Sequence, residues 1–157
     1  MRELEWATPK GFEVITVATS FESPHSTFGP FQVDRYGLAW IVEGGGVSCL
    51  DTESFTVGPG HLLLMRPGMT LRHDWGHERS FQSFIVFDFE ELGQAWPAVS
   101  AWPLSRDFSG ERLFFDLWRQ LLALEHAPGG RSGQVTFFAE LLLRLTLEGG
   151  TRTPAQT

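Results

Sequence analysis

Three histidines, His61, His73 and His77, fall within one short span of the chain. Imidazole is a common zinc ligand and the usual acid–base group near neutrality, so a metal centre is the first chemistry to consider. The surroundings weaken that reading. His61 directly follows Gly60 at the start of an apolar run, and His77 sits in the polar turn 76–79. The single Cys49 excludes an internal disulfide and has no histidine at a supporting spacing. It reads as a small half-buried strand residue rather than a nucleophile. Nothing matches a G-x-S-x-G elbow or a phosphate-binding loop, because Gly44-Gly45-Gly46 leads into a strand and not a helix. The triplet is expected to be a hairpin turn or bulge. His73 is better suited to binding. In the run 70–75 it alternates with Leu71 and Trp75 on one face, while Thr70, Arg72 and Asp74 take the other. An imidazole can hydrogen-bond a ligand, and an indole adds an apolar plate and one N–H donor.

These residues need strands to hold them. Gly58-Pro59-Gly60 and Pro67-Gly68 are turn signals on either side of the run 61–65, which is too short for an ordinary helix. Residues 1–11 read as an arm, 12–19 as a strand and 22–30 as a loop. The run 31–43 reads as one strong strand. Tyr36, Leu38, Trp40 and Val42 make one bulky face; Gly37, Ala39 and Ile41 make a mostly small one with room for a cavity. Short strands follow at 47–50 and 54–57. The strand 80–89 carries Phe84-Ile85-Val86-Phe87, apolar on both faces, which asks for a second layer. Ala-Trp-Pro then occurs at 95–97 and again at 101–103, too little for a repeat architecture.

The pattern then turns helical. A helix over about 110–126, capped by Ser109, carries Leu113, Phe114, Leu117, Trp118, Leu121 and Leu122 on one face. Pro128-Gly129-Gly130 ends it. A second helix over about 132–148 stops at Gly149-Gly150 and is apolar around most of its circumference. Such a helix must touch more than one neighbour: the first helix on one side and, on the other, either the sheet alone or a second subunit.

The bulk numbers exclude several classes. A length of 157 residues is one domain with a real core, and 42% hydrophobic against 20% charged content is globular. Twelve basic against nineteen acidic residues give a net charge of −7, a surface that repels phosphate backbones. The N-terminus has no signal-peptide pattern, and no apolar run approaches the roughly 20 residues of a membrane helix. A cytoplasmic location is expected.

Gly60 through Pro67-Gly68 resembles the second motif of cupins, and the strand ending at Glu43-Gly44 resembles the end of the first. With the two trailing helices, the chain from about 31 to 149 is similar to the effector-binding and dimerisation domain of AraC-type transcription regulators. The resemblance implies a mainly β fold: a cupin-like double-stranded β-helix, or jelly-roll barrel, followed by two antiparallel α-helices. It divides the chain into an arm at 1–11, a barrel at 12–105, a two-helix dimerisation unit at 106–150 and a linker or tail at 151–157. It also implies a small-molecule effector, often a sugar, and a homodimer. DNA would be contacted only through a helix-turn-helix domain, before which this chain stops. The chain is then either the excised sensor of a longer regulator or a free-standing one.

The metal positions of cupins fall here near Phe31, Val33, Gly37 and Leu71, none of which can ligate a metal. No cofactor, metal or catalytic residue is therefore expected. The resemblance places Phe31, Val33, Leu71, His73 and Trp75 in the effector pocket and turns Gln82 and Phe84 of the strand 80–89 inward. For His73 the alternative is a core histidine satisfied by backbone; for Trp75, rim packing; for Phe84, plain core. Arg35 could meet an anionic effector or form a surface ion pair. Phe138, Leu141, Leu142 and Leu145 are the expected dimer interface, and Trp6 lies in an arm that could close over the pocket. The competing function is a cupin isomerase or oxygenase with a displaced metal site built from His61, His73 or His77.

Overall fold

A computed structural model describes residues 7–127, 133–148 and 151–152. Trp6, the expected break at Pro128-Gly129-Gly130, the expected stop at Gly149-Gly150 and the tail beyond Arg152 lie outside the described residues. The strands are β1 (Glu13–Glu22), β2 (Thr27–Gln32), β3 (Tyr36–Glu43), β4 (Gly46–Leu50), β5 (Glu53–Val57), β6 (His61–Met65), β7 (Thr70–Trp75), β8 (Ser80–Asp88) and β9 (Ser105–Asp107). Helices α1 (Arg112–Glu125) and α2 (Gly133–Glu148) follow, and β10 (Thr151–Arg152) pairs back onto β9. The mainly β class with two C-terminal helices is the class expected from the sequence.

Two sheets carry the strands. One has the order β1-β8-β3-β6-β9-β10 and the other β2-β7-β4-β5, with every pairing antiparallel. Period-two alternation sends each strand's side chains to two different cores. On β3, Leu38 and Trp40 join Ile85 and Phe87 of β8 against the helices, where Phe114, Trp118, Leu121, Val135, Leu142 and Leu143 cover them. Ala39 and Ile41 face the other way and join Leu50, Phe55, Leu63 and Trp75 between the sheets. The double apolar face read on β8 is thus used on both sides. Trp118 ties helix to sheet by donating Nε1–H to Ser83 Oγ at 2.8 Å.

Several expectations change. The run 31–43 is two strands in different sheets: β2 ends at Gln32, a turn at Val33-Asp34-Arg35 follows, and β3 begins at Tyr36. β2 also reaches back into the expected loop 22–30. Pro30 has no N–H to give a ladder, but β2 is an edge strand and tolerates it. Gly44-Gly45-Gly46 is not a hairpin turn: it carries the chain from β3 in one sheet to β4 in the other, with all three φ positive. The N-cap of α1 is Glu111 rather than Ser109, and it makes no side-chain capping bond. Leu113, placed on the inner face of α1, is 63% exposed. Leu142, placed in the dimer interface, is fully buried inside the subunit and has no surface left for a partner. Phe138, Leu141 and Leu145 remain partly exposed.

The connector between β8 and β9 is pinned by its two repeated tryptophans. Trp96 donates Nε1–H to the carbonyl of Ala7 at 2.7 Å, and Trp102 donates to that of Pro97 at 2.9 Å. The described end of the N-terminal arm therefore lies along this connector, with Lys10 bridging to Glu91.

Candidate functional site

A cavity of about 410 Å³ lies between the two sheets. Gly37 and Ala39 on β3 leave the space, because they put almost no side chain of their own into the gap. Native interiors pack densely, so a void of this size is not a packing defect but a feature of the chain. It falls within the ~300–1,000 Å³ typical of small-molecule sites. One wall is β3, β6 and β8, with Leu63, Met65, Gln82, Phe84 and Val86; the facing wall is β7 and β2, with Leu71, His73, Trp75, Phe28 and Phe31. Val33 lies in the turn between β2 and β3.

The seven residues singled out from the sequence, Phe31, Val33, Leu71, His73, Trp75, Gln82 and Phe84, all line this one cavity. Phe28 also lines it and was read as loop. It and Phe31 are three apart, so simple alternation puts them on opposite faces. The register shift between them brings both to the cavity, their ring centroids 5.7 Å apart. Both are about half exposed and form part of the rim with Glu22, Asp34 and Arg35. No described residue before Ser20 lines the cavity, so the described end of the arm does not cover it.

His73 is the polar centre of the inner wall, only 5% exposed. Its neighbour in register on β4 is Ser48, fully buried, whose Oγ lies in hydrogen-bond contact with His73 Nδ1. With the hydroxyl donating to Nδ1 only the Nε2–H is left unpaired, whereas Nδ1–H donating to Oγ would leave both the hydroxyl proton and the Nε2 lone pair buried without partners. The hydroxyl therefore donates to Nδ1, and the ring proton sits on Nε2. Burial pushes the imidazole pKa down from 6.5 to about 4, against a smaller opposing pull from Asp74. His73 is a neutral ring at physiological pH. Nε2 has no hydrogen-bond partner, and neither has Nε1 of Trp75, whose ring centroid lies 3.8 Å from that of His73. The alternative of a core histidine satisfied by backbone is not the form observed: the ring is held by a serine, and its outer nitrogen is unused.

Gln82 has protein partners. It donates Nε2–H to Ser20 Oγ at 3.3 Å, and Ser20 donates to Glu22 Oε1 at 2.9 Å. Arg35 pairs with Asp88 at 3.1 Å, both about half exposed, so the surface ion pair is the form observed. The other histidines stand apart. His61 Nδ1 lies against the backbone of Gly58, with Nε2 3.8 Å from Asp107. His77 is exposed beside Glu78 at 3.8 Å. His73 and His77 are four apart, a spacing that joins two imidazoles on a helix, but here one is on a strand and the other in the turn after it. Among the described residues no three of His, Cys, Asp and Glu stand close enough to hold a metal. Cys49 is half-buried on β4, as read. Among the described residues no helix is long and apolar enough to cross a membrane.

Residues 9–151 match the AraC-binding-like domain family. No curated protein matches the chain. Among solved structures the chain is similar to ToxT from Vibrio cholerae, at 11% identity and a TM-score of 0.46 over 86% of this chain and 54% of that one. An unsaturated fatty acid-bound structure of ToxT aligns at 14% identity and a TM-score of 0.38, over 81% of this chain and 37% of that one. Vicilin from hazelnut, Corylus avellana, aligns at 17% identity and a TM-score of 0.43, over 87% of this chain and 36% of that one. The chain thus spans between about a third and a half of the length of these proteins.

Proposed function

The chain belongs to the AraC-binding-like domain family, a family of regulatory, effector-binding domains, and on that premise we propose that its cavity takes a small-molecule effector and that it signals as a dimer. The observation that supports the first part is the convergence of Phe31, Val33, Leu71, His73, Trp75, Gln82 and Phe84 on one hollow of about 410 Å³. A sugar is one effector class the resemblance implies. The lining argues for a more apolar one: it is dominated by Phe, Leu, Val and Met side chains, and Gln82 and Arg35 already have protein partners. A sugar's many hydroxyls would be buried with few groups to meet them. The role is regulatory rather than catalytic and cytoplasmic, with DNA reached through a helix-turn-helix domain outside this chain.

Dimerisation is supported by apolar surface that the subunit leaves open on both helices: Leu113 and Phe115 on α1 and Phe137 on α2, beside the partly exposed Phe138, Leu141 and Leu145. The domain plan that goes with this reading is a barrel at 12–105 and a two-helix unit at 106–150.

A thermal-shift screen with sugars, aromatic acids and uncharged apolar compounds tests the effector reading, because a ligand bound only by the folded state raises the melting temperature. At least one class is expected to do so in the wild type and to fail in a cavity-filled Gly37→Val variant. A shift that survives in Gly37→Val would place binding elsewhere and sink this reading.

A further inference from the structure

The cavity's inner wall holds two N–H donors and nothing for them to donate to. His73 Nε2 and Trp75 Nε1 are both buried, and both are without a hydrogen-bond partner. Indole nitrogen can only donate. The Ser48 hydroxyl, held on Nδ1, makes His73 Nε2 a donor as well. The ring centroids lie 3.8 Å apart, so the two rings share one part of the wall. No cation supports them: Arg35 is the one guanidinium or ammonium group in the lining, and Asp88 engages it. Glu22 and Asp34 bring two carboxylates to the rim. An anionic guest would pass an acidic rim and reach a neutral donor pair; an uncharged guest with one acceptor oxygen meets neither obstacle.

We propose, building on the effector-cavity reading above, that the guest is an uncharged apolar carbonyl compound, a ketone, ester or lactone, whose oxygen accepts from the donor pair His73 Nε2–H and Trp75 Nε1–H. Both nitrogens are closed to water in the empty protein, so the oxygen reaches them only when the two rings move to admit it. That contact exists in one state only, which is the differential affinity a ligand needs to move an equilibrium.

Calorimetry of the full chain with three matched probes tests this: benzylacetone (ketone), hydrocinnamate (carboxylate) and isopentylbenzene (hydrocarbon). Benzylacetone is expected to bind at least about tenfold more tightly than either of the others, the worth of one to two hydrogen bonds. Trp75→Phe, and His73→Leu combined with Ser48→Ala so that no hydroxyl is stranded, are each expected to erase most of that advantage. The readout is the ratio of ketone to hydrocarbon affinity within each variant, so that a changed cavity volume acts on both probes alike, and circular dichroism shows that the variants are folded. Equal binding of ketone and hydrocarbon, or tightest binding of hydrocinnamate, would overturn the carbonyl inference and leave the cavity reading standing. Binding of none of the three would likewise overturn the carbonyl inference alone, whereas binding undiminished in Gly37→Val would overturn both.

Discussion

Ser48 and His73 face each other across β4 and β7, and the serine hydroxyl holds the Nδ1 side of a ring whose other nitrogen has no protein partner. The pair fixes which ring nitrogen is engaged, and burial keeps the ring neutral. It also ties the site to the stability of the domain.

The imidazole is neutral in the folded protein down to about pH 4, whereas in the unfolded chain it takes up a proton near 6.5. Between those values the unfolded state binds the extra proton, so stability falls as pH falls through the window and levels off below it. The loss attributable to His73 is at most about 3 kcal/mol. Urea melts at a series of pH values check it. Wild type minus His73→Gln is expected to slope between pH 6.5 and about 4 and to be flat above. A difference that does not vary across the window would mean that the ring is protonated as easily in the fold as out of it.

Filling the cavity separates binding from folding. A Cβ on Gly37 would press on the terminal methyl of Met65, at 3.0 Å, and make an ordinary contact with the Ile85 carbonyl at 3.5 Å, and Gly37 has an ordinary strand conformation. Gly37→Val is therefore expected to change stability by no more than about 1 kcal/mol while weakening any cavity ligand at least tenfold. Thermal melts and titration calorimetry on the same samples read the two effects.

Trp118 is fully buried and is bound to Ser83 across the helix–sheet core. Trp118→Phe removes the donor and leaves a cavity where the second ring was, with an expected loss of about 2–4 kcal/mol. Equilibrium urea unfolding measures it, and a loss under about 1 kcal/mol would show that the helices contribute little to the stability of the sheets.

The helix face settles which substitutions probe the proposed dimer. Leu142 is core, so Leu142→Glu is expected to unfold the subunit and says nothing about association. Phe137 is 61% exposed and Leu141 partly so. Phe137→Glu with Leu141→Glu is expected to give a folded monomer by sedimentation equilibrium, with an unchanged circular dichroism spectrum. A folded double variant with the wild-type mass would remove α2 from any interface.

Alternation alone was enough to read Leu71, His73 and Trp75 as one face, and Gly37 and Ala39 as a face with room beside it. A strand's period of two is a local property, set by backbone geometry wherever the strand pairs. The same holds for the α1 stripe Phe114, Trp118 and Leu121, because helical spacing is equally local. What alternation does not encode is which strand lies alongside. The run 31–43 divides between two sheets at the turn Val33-Asp34-Arg35, because long-range pairing with β7 and with β8 claims the two halves separately. Phe28 joins the cavity only through a register shift, and Ser48 meets His73 only because β4 pairs with β7. On α2, apolar around most of its circumference, the pattern has no preferred side. Docking against α1 and the sheet decided that Leu142 and Leu143 turn inward while Phe137 stays out, since contacts distant in sequence select one face from several that are equally apolar.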